Sequence, residues 1–87
     1  MGKEQIRPVN DFEDATIVAY LAYRGHQVTP CKKLNGRIVF TVTGDIARDV
    51  EAFYQNQNVG VLDYIRILKM IRSSIFNLRA MKGNGTV

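Results

Sequence analysis

The stretch that decides the fold reads Cys31-Lys32-Lys33-Leu34-Asn35-Gly36-Arg37-Ile38-Val39-Phe40-Thr41-Val42. Asn35-Gly36 is a strong hairpin signal, because a two-residue type I′ turn needs positive φ at both central residues. The dipeptide lies between two runs that are typical of extended strands. The pattern therefore predicts an antiparallel hairpin, with strands over residues 26–33 and 37–43.

A two-residue loop pairs Leu34 with Arg37 and Cys31 with Phe40. Because alternate residues of a strand share a face, this register directs one set of side chains toward the core: Thr29, Cys31, Ile38, Phe40 and Val42. The opposite face then holds a mixed set: Val28, Lys32, Leu34, Arg37, Val39 and Thr41. Pro30 has no backbone N–H to donate, so the first strand is expected at an edge of the sheet.

A helix is predicted before the hairpin, over residues 12–24. Asn10 or Asp11 can accept hydrogen bonds from its first backbone N–H groups as an N-cap. Gly25 can adopt the left-handed conformation that often ends a helix. The preceding segment, residues 1–10, is polar and contains a proline, so it is expected to be a flexible, irregular arm.

Two helices are predicted after the hairpin. The shorter one begins near Thr43 or Asp45, and the longer one covers residues 61–81. Apolar residues surround more of the longer helix than one hairpin can cover. Residues 82–87 are expected to form a flexible tail. The predicted fold is therefore α+β: a single compact domain over residues 11–81, ordered helix–β-hairpin–helix–helix, with a two-stranded antiparallel sheet packed on the helices.

The small size of the chain favours self-association. A domain of 87 residues buries only about 60–65% of its unfolded surface, and a lone hairpin is marginally stable in water. Together with the apolar excess on the last helix, this predicts a homodimer or a higher homo-oligomer. The interface is either the edge of the hairpin or the last helix, packed against its copy.

Cysteine usage and the ends of the chain indicate the compartment. Cys31 is the only cysteine, and a lone thiol suits a reducing environment. We expect it to be a small apolar residue on its strand, since a reactive thiol needs a cation or base that holds the thiolate. The first ten residues lack the apolar segment of a signal peptide, and no apolar run approaches the about 18 residues of a membrane span. We therefore expect a cytoplasmic protein without membrane association.

The positive charge is confined to two regions. Residues 24–37 carry four cations and no acid, and residues 63–87 carry five cations against one acid. Acidic residues instead outnumber cations in residues 1–14 and 45–51. A basic hairpin and a basic helix form the kind of electrostatic surface that binds nucleic acid.

Each basic region has two interpretations. A two-stranded ribbon can enter the major groove of DNA, but edge strands also carry lysine simply to prevent aggregation. The cations of the last helix can follow a phosphate backbone, or they can be the solvated side of an amphipathic helix. The candidate nucleic-acid-binding residues, for DNA or RNA, are Lys32, Lys33, Asn35, Arg37, Arg66, Lys69 and Arg72.

No pattern for catalysis or metal binding is present. His26 is the only histidine, and with Cys31 it supplies two ligands, fewer than a zinc site needs. No nucleophile and base stand in a context that supports a catalytic triad. Acidic residues cluster at the predicted helix starts, where capping and the helix dipole explain them. We therefore predict a protein that is not an enzyme and has no metal or cofactor.

A family resemblance rests on short stretches at predicted core and cap positions: Asp11-Phe12, Ala19-Tyr20-Leu21, Arg24-Gly25-His26, Ile38-Val39-Phe40, Phe53-Tyr54, Tyr64, Leu68-Lys69 and Arg72-Ser73-Ser74-Ile75-Phe76-Asn77. On these, over residues 11–78, the chain resembles a group of small bacterial and prophage-associated domains of unknown function. The resemblance implies a phage or mobile-element setting and no particular chemistry.

Together these observations predict a small accessory protein of phage or mobile-element origin. It is expected to bind nucleic acid through the tip of the basic hairpin and the basic side of the last helix. The alternative is a homo-oligomeric protein–protein interaction or assembly module that does not bind nucleic acid, in which the positive charge serves solubility or steering.

Overall fold

A computed structural model describes residues 9–81 of the chain. The elements, in chain order, are β1 (Val9–Phe12), α1 (Ala15–Tyr23), β2 (Val28–Lys32), β3 (Ile38–Thr43), α2 (Ala47–Tyr54) and α3 (Val61–Ala80). The α+β class is confirmed, with a hairpin that follows one helix and precedes two. The predictions for residues 1–8 of the arm and for the tail, residues 82–87, lie outside the described residues.

The sheet has three antiparallel strands in the order β1-β3-β2, one more than predicted. The additional strand β1 pairs with β3, with Phe12 opposite Phe40. It includes Val9 and Asn10, which the sequence assigned to an irregular arm. Half of its four residues are Asn and Asp, which are rare in strands, so the sequence carries little sign of it. β2, which contains Pro30, lies at an edge of the sheet, as predicted.

The turn lies where Asn35-Gly36 predicts it, but its loop has three residues instead of two. The Lys33 N–H donates to the Arg37 carbonyl at 2.8 Å, and the Gly36 N–H donates to the Lys33 carbonyl at 2.9 Å. Gly36 alone of the loop residues has a positive φ, of 88°. This is the common loop in which a type I turn is followed by one left-handed residue. The Asn35 side chain stabilises it by accepting a hydrogen bond from the Arg37 N–H at 3.0 Å.

The longer loop shifts the hairpin register by one residue from the predicted pairing. Cys31 lies opposite Val39 instead of Phe40, and Pro30 lies opposite Phe40. Because a shift of one residue exchanges the two faces of a strand, Thr29 and Cys31 are not on the core face, and the Cys31 thiol is exposed. The β2 residues paired with the core residues of β3 are Val28, Pro30 and Lys32.

The core is built around α1. Ile17 to Leu21 are five consecutive buried residues, because α1 is contacted by α2, by α3 and by all three strands. The residues of β3 that pack with them are Ile38, Phe40 and Val42, the set that the alternation of β3 predicts.

α1 begins at Ala15, three residues later than predicted. Its N-cap is Asp14, whose carboxylate accepts hydrogen bonds from the hydroxyl and the backbone N–H of Thr16, at 2.7 and 2.9 Å. These hydrogen bonds lower the pKa of Asp14. Asn10 and Asp11, the predicted caps, lie in β1 instead. Gly25, with φ of 98°, follows the helix as predicted.

α2 begins at Ala47, and Ile46 occupies its N-cap position. Thr43 and Asp45, the predicted caps, lie before it, although the Asp45 carboxylate accepts a long hydrogen bond of 3.4 Å from the Ala47 N–H. α3 ends at Ala80 and has a single fully buried residue, Ile71. None of the helices between residues 9 and 81 combines the length and the apolar character needed to cross a membrane.

Hydrogen bonds at both ends of α3 connect this helix to the rest of the domain. Near its N-terminus, the Gly60 N–H donates to the Tyr23 hydroxyl, and the Tyr64 hydroxyl donates to the Thr16 carbonyl, both at 2.8 Å. After its C-terminus, Lys32 Nζ of β2 donates to the Met81 carbonyl at 3.1 Å. One side of α3 is therefore held against α1 and β2, and its opposite side faces solvent.

Candidate nucleic-acid interface

The solvent side of α3 forms a shallow groove that is both basic and aromatic. Five exposed residues line it: Lys69, Arg72, Ser73, Phe76 and Asn77. Each of them lies three or four residues from at least one other member of the set, which places them on one face. The groove has a volume of about 460 Å³. We call this set the outer face of α3.

The outer face combines the groups that nucleic acids require. Lys69 and Arg72 supply positive charge, and neither forms an ion pair with a carboxylate between residues 9 and 81. Ser73 and Asn77 supply hydrogen-bonding groups. The Phe76 ring is 71% exposed, an unusual position for a phenylalanine in a soluble domain. Cations beside an exposed ring allow phosphate binding and base stacking on one surface.

Arg66 lies next to the outer face and is paired within its own helix. Its guanidinium donates to Asp63 at 2.8 Å, three residues earlier. Both side chains are more than half exposed, so the pair contributes at most about 1 kcal/mol to stability. A phosphate can replace such a carboxylate at little cost, and Arg66 therefore stays available to an anionic ligand.

The hairpin tip, defined by Lys32, Lys33, Asn35 and Arg37, differs in that most of its polar groups have partners. Lys32 binds the carbonyl that follows α3, and Arg37 forms an ion pair with Glu13. Asn35 is part of the turn. The Lys33 side chain is exposed. The tip is therefore held by contacts within the chain.

The structure places the predicted residues in two separate clusters. The contact between Lys32 and Met81 sets the hairpin tip beside the C-terminal end of α3. Arg72 and Lys69 precede that end by nine and twelve residues, which correspond to about 14 and 18 Å along the helix axis. These distances exceed the Debye length of about 8–10 Å in physiological salt. The two clusters are therefore separate surfaces, and one ligand has to be extended to reach both.

A second polar cluster, which the sequence did not single out, joins the end of α1 to α2. Asp49 Oδ2 lies 2.7 Å from His26 Nε2, and Arg24 Nε donates to Asp49 Oδ1 at 3.1 Å. The hydrogen bond with His26 and, to a lesser degree, the contact with Arg24 lower the pKa of Asp49. His26 is therefore a structural partner of α2, in addition to its place after α1. His26 and Asp49 are 23 positions apart in the sequence, which explains why no local spacing reveals the pair.

One buried polar atom within residues 9–81 has no partner. Tyr20 is 3% exposed, and its hydroxyl makes no hydrogen bond. Its ring packs against Phe53 and Tyr23, so its place in the core is set by packing. Across residues 9–81, no group of three or more His, Cys, Asp and Glu side chains is arranged to hold a metal ion.

Sequence reasoning named the cations of the outer face but not the three residues that complete it: Ser73, Phe76 and Asn77. The available signal was their spacing. Phe76 follows Lys69 by seven residues and Arg72 by four, so it lies on the same face as both. The helical wheel places Phe76 outside the main apolar stripe, on the side of Lys69 and Arg72, and the structure shows that the residue is exposed.

Comparison with protein-family models, with curated proteins and with solved structures found no significant match for this chain. The resemblance to prophage-associated domains receives no support from these comparisons, and the functional argument therefore depends on the geometry of the outer face.

Proposed function

We propose that this protein binds nucleic acid through the outer face of α3, as a small non-enzymatic accessory protein of phage or mobile-element origin. The observation that supports this most directly is the position of Lys69 and Arg72, exposed beside the Phe76 ring without a carboxylate partner in residues 9–81. Among residues 9–81, no acidic residue lines the groove that holds these two cations.

Binding depends first on phosphates. Lys69 offers a point charge, and Arg72 offers a planar guanidinium that can contact two phosphate oxygens at once. Each neutralised phosphate releases counterions, so affinity falls steeply with salt. Phe76 then adds sequence-tolerant stacking of about 1–3 kcal/mol for one unpaired base.

The hairpin tip has a secondary role in this proposal. Lys33 adds an exposed charge, whereas Lys32 and Arg37 first have to give up contacts with Met81 and Glu13. Since both of those contacts are at the surface, the exchange costs little. The tip extends the binding surface when the nucleic acid is long enough to reach it.

The test is fluorescence anisotropy with a labelled 20-nucleotide single strand and the matching duplex, at about 50 and 200 mM salt. Arg72→Glu is expected to weaken binding about ten-fold or more, and the double variant Lys69→Glu/Arg72→Glu to abolish it. Loss of one phosphate contact in Arg72→Glu reduces the slope of log K against log salt by about 0.7–0.9. Thermal unfolding of each variant checks that the fold is retained.

Arg48→Glu is the matched control, because it makes the same charge change at an exposed position on α2. It should alter affinity by no more than the general effect of net charge, about two-fold. Undetectable binding of either nucleic acid by the unmodified protein at about 50 mM salt contradicts the proposal. Equal losses in Arg72→Glu and Arg48→Glu contradict the assignment of the site to α3.

A second candidate function is homo-oligomeric assembly, and the exposed apolar residues of α3 favour it. Leu62, Ile65 and Phe76 are exposed and fit the alternating three- and four-residue spacing of a coiled-coil seam. Lys69 and Arg72 occupy the intervening seam positions. An antiparallel pair of α3 helices centred on this seam brings Lys69 against its own copy, which is unfavourable. Light scattering and the anisotropy assay distinguish the two functions: a stable dimer that binds neither nucleic acid supports assembly.

A further inference from the structure

The two edges of the sheet differ in how well they are protected. The β2 edge carries Pro30 and Lys32, two residues that prevent further strand pairing. The other edge is formed by β1, whose sequence Val9–Phe12 contains neither proline nor lysine. Among residues 9–81, no strand pairs with the far side of β1. Its outward backbone groups are therefore available to a further strand.

An apolar groove lies beside this edge. It has a volume of about 530 Å³ and is lined by residues of β1, of α2 and of the loop between β3 and α2. Its apolar residues are Phe12, Ile46, Ala47 and Val50. Ile46 is buried, and Phe12 and Val50 are half-buried against the core. Packing therefore holds the apolar side chains that line the groove in place.

The position of Phe12 connects the groove to the strand edge. Phe12 lies opposite Phe40, and cross-strand partners share a face of the sheet. Phe12 therefore points to the side on which the helices lie. A strand added beside β1 directs every second side chain to that side, where it meets Phe12, Ile46 and Val50. The backbone edge and the groove thus suit the same extended ligand.

Charge identifies the kind of ligand. The polar rim of the groove includes two exposed carboxylates, Asp45 and Glu51, and no cation among residues 9–81 lines it. Pairing of β1 with β1 of a second copy brings two sets of these carboxylates toward each other, which disfavours self-association at this edge. A partner with basic side chains next to apolar ones is complementary to the site.

From the open edge, the apolar groove and the acidic rim, we propose that β1 and α2 form a docking site for an extended peptide segment of another protein, one that alternates apolar and basic residues. The segment adds a fourth strand antiparallel or parallel to β1. Its apolar side chains enter the groove. Its basic side chains point to the opposite face of the sheet, where the exposed carboxylate of Asp11 lies, and Asp45 and Glu51 add negative charge beside the segment. This site is separate from α3 and does not depend on nucleic-acid binding.

The probe is a synthetic heptapeptide of alternating valine and lysine, with blocked ends. Two matched peptides serve as controls: one replaces lysine by glutamate, and the other carries N-methyl groups on alternate backbone nitrogens. Titrations of the full chain are followed by calorimetry and by backbone amide NMR shifts. The lysine peptide should bind at least about ten-fold more tightly than either control, since charge and main-chain hydrogen bonds both contribute. The largest shift changes are expected from Asn10 to Phe12 and from Ile46 to Glu51.

Two variants test the site itself. Ala47→Trp fills the groove from an exposed position, and Ala80→Trp makes the same change at an exposed position on α3. Only Ala47→Trp should abolish binding of the lysine peptide, with the unfolding temperature of both variants close to that of the unmodified protein. Glu51→Lys should weaken binding of the lysine peptide and strengthen binding of the glutamate peptide.

Four results of the binding experiments overturn the proposal. They are equal binding of the three peptides, binding that survives Ala47→Trp, shift changes confined to α3, and peptide binding that appears only after deletion of residues 1–8. The last result identifies the chain's own N-terminal segment as the occupant. Light scattering that shows a dimer broken by Ala47→Trp equally overturns it, because the occupant is then a second copy.

Discussion

The hairpin and the outer face of α3 carry the same three kinds of side chain, and the structure uses them in opposite ways. In the hairpin, Lys32 and Arg37 bind partners within the chain, and Phe40 is 1% exposed in the core. On α3, the corresponding lysine and arginine face solvent, and Phe76 is 71% exposed. A cluster of cations in a sequence therefore does not by itself identify a free binding surface.

The difference arises from position. The hairpin lies between the start of α1, where Glu13 is found, and the end of α3, where the last carbonyl groups are unpaired by the helix. Long cationic side chains there have acceptors within reach. The outer face of α3 points away from every other element, because α1 already occupies the opposite side of the helix. Its groups keep their binding capacity for a ligand.

Replacing the two phenylalanines by alanine gives the largest contrast. Phe40→Ala should destabilise the domain by about 3–5 kcal/mol, since it removes a fully buried ring and leaves a cavity. Phe76→Ala should change stability by less than about 0.5 kcal/mol. Urea unfolding followed by circular dichroism measures both. If Phe76→Ala lowers the free energy of unfolding by more than about 2 kcal/mol, the two phenylalanines do not differ as described, because another molecule must then bury the Phe76 ring.

Two glycines provide a smaller contrast in backbone strain. Gly36→Ala places a Cβ on a residue with φ of 88°, which costs about 1–2 kcal/mol. Gly60, at the N-cap of α3, has φ of −69°, a conformation that alanine adopts readily. An added Cβ there meets Asp63 Oδ2 at 3.4 Å, an ordinary contact. Gly60→Ala should therefore cost less than Gly36→Ala in the same urea experiment. The reverse order would contradict the left-handed conformation of Gly36.

Replacing Lys32 or Lys69 should have the smallest effect on stability. The same two variants should separate the binding roles of the hairpin tip and the outer face most clearly. Lys32→Met removes the hydrogen bond to the Met81 carbonyl and a favourable charge at the helix C-terminus, worth about 0.3–1 kcal/mol. Lys69→Met removes no ion pair within residues 9–81 and should leave stability nearly unchanged. In the anisotropy assay the order should reverse, with Lys69→Met the weaker binder. If both variants lose the same affinity, the tip and the outer face are not functionally distinct.

Local patterns predicted several elements because the cause of each lies within a few residues. Alternation placed Ile38, Phe40 and Val42 on one face of β3, and Gly36 marked the turn. The proline of β2 indicated an edge strand. Helical spacing showed that α3 has more apolar surface than its neighbours cover, and Leu62, 75% exposed, is an example.

Features that join distant segments were not predictable in this way. β1 is a strand because β3 supplies its hydrogen bonds, and its sequence alone favours irregular structure. The N-cap of α1 is Asp14, later than predicted, because Phe12 pairs with Phe40 in the sheet and cannot begin the helix. The pair between His26 and Asp49, and the groove between β1 and α2, each need two elements to meet.

The amino-acid sequence by itself determined the class of the fold, the place of the turn, the core face of β3 and the two basic regions. These depend on periodicity, on the φ preference of glycine and on composition, all of which act locally. Only the tertiary structure decided the register of the hairpin, the third strand and which cations remain free. Those depend on which groups the fold brings together. Lys32 has the Met81 carbonyl within reach, whereas Lys69 has no ion-pair partner among residues 9–81.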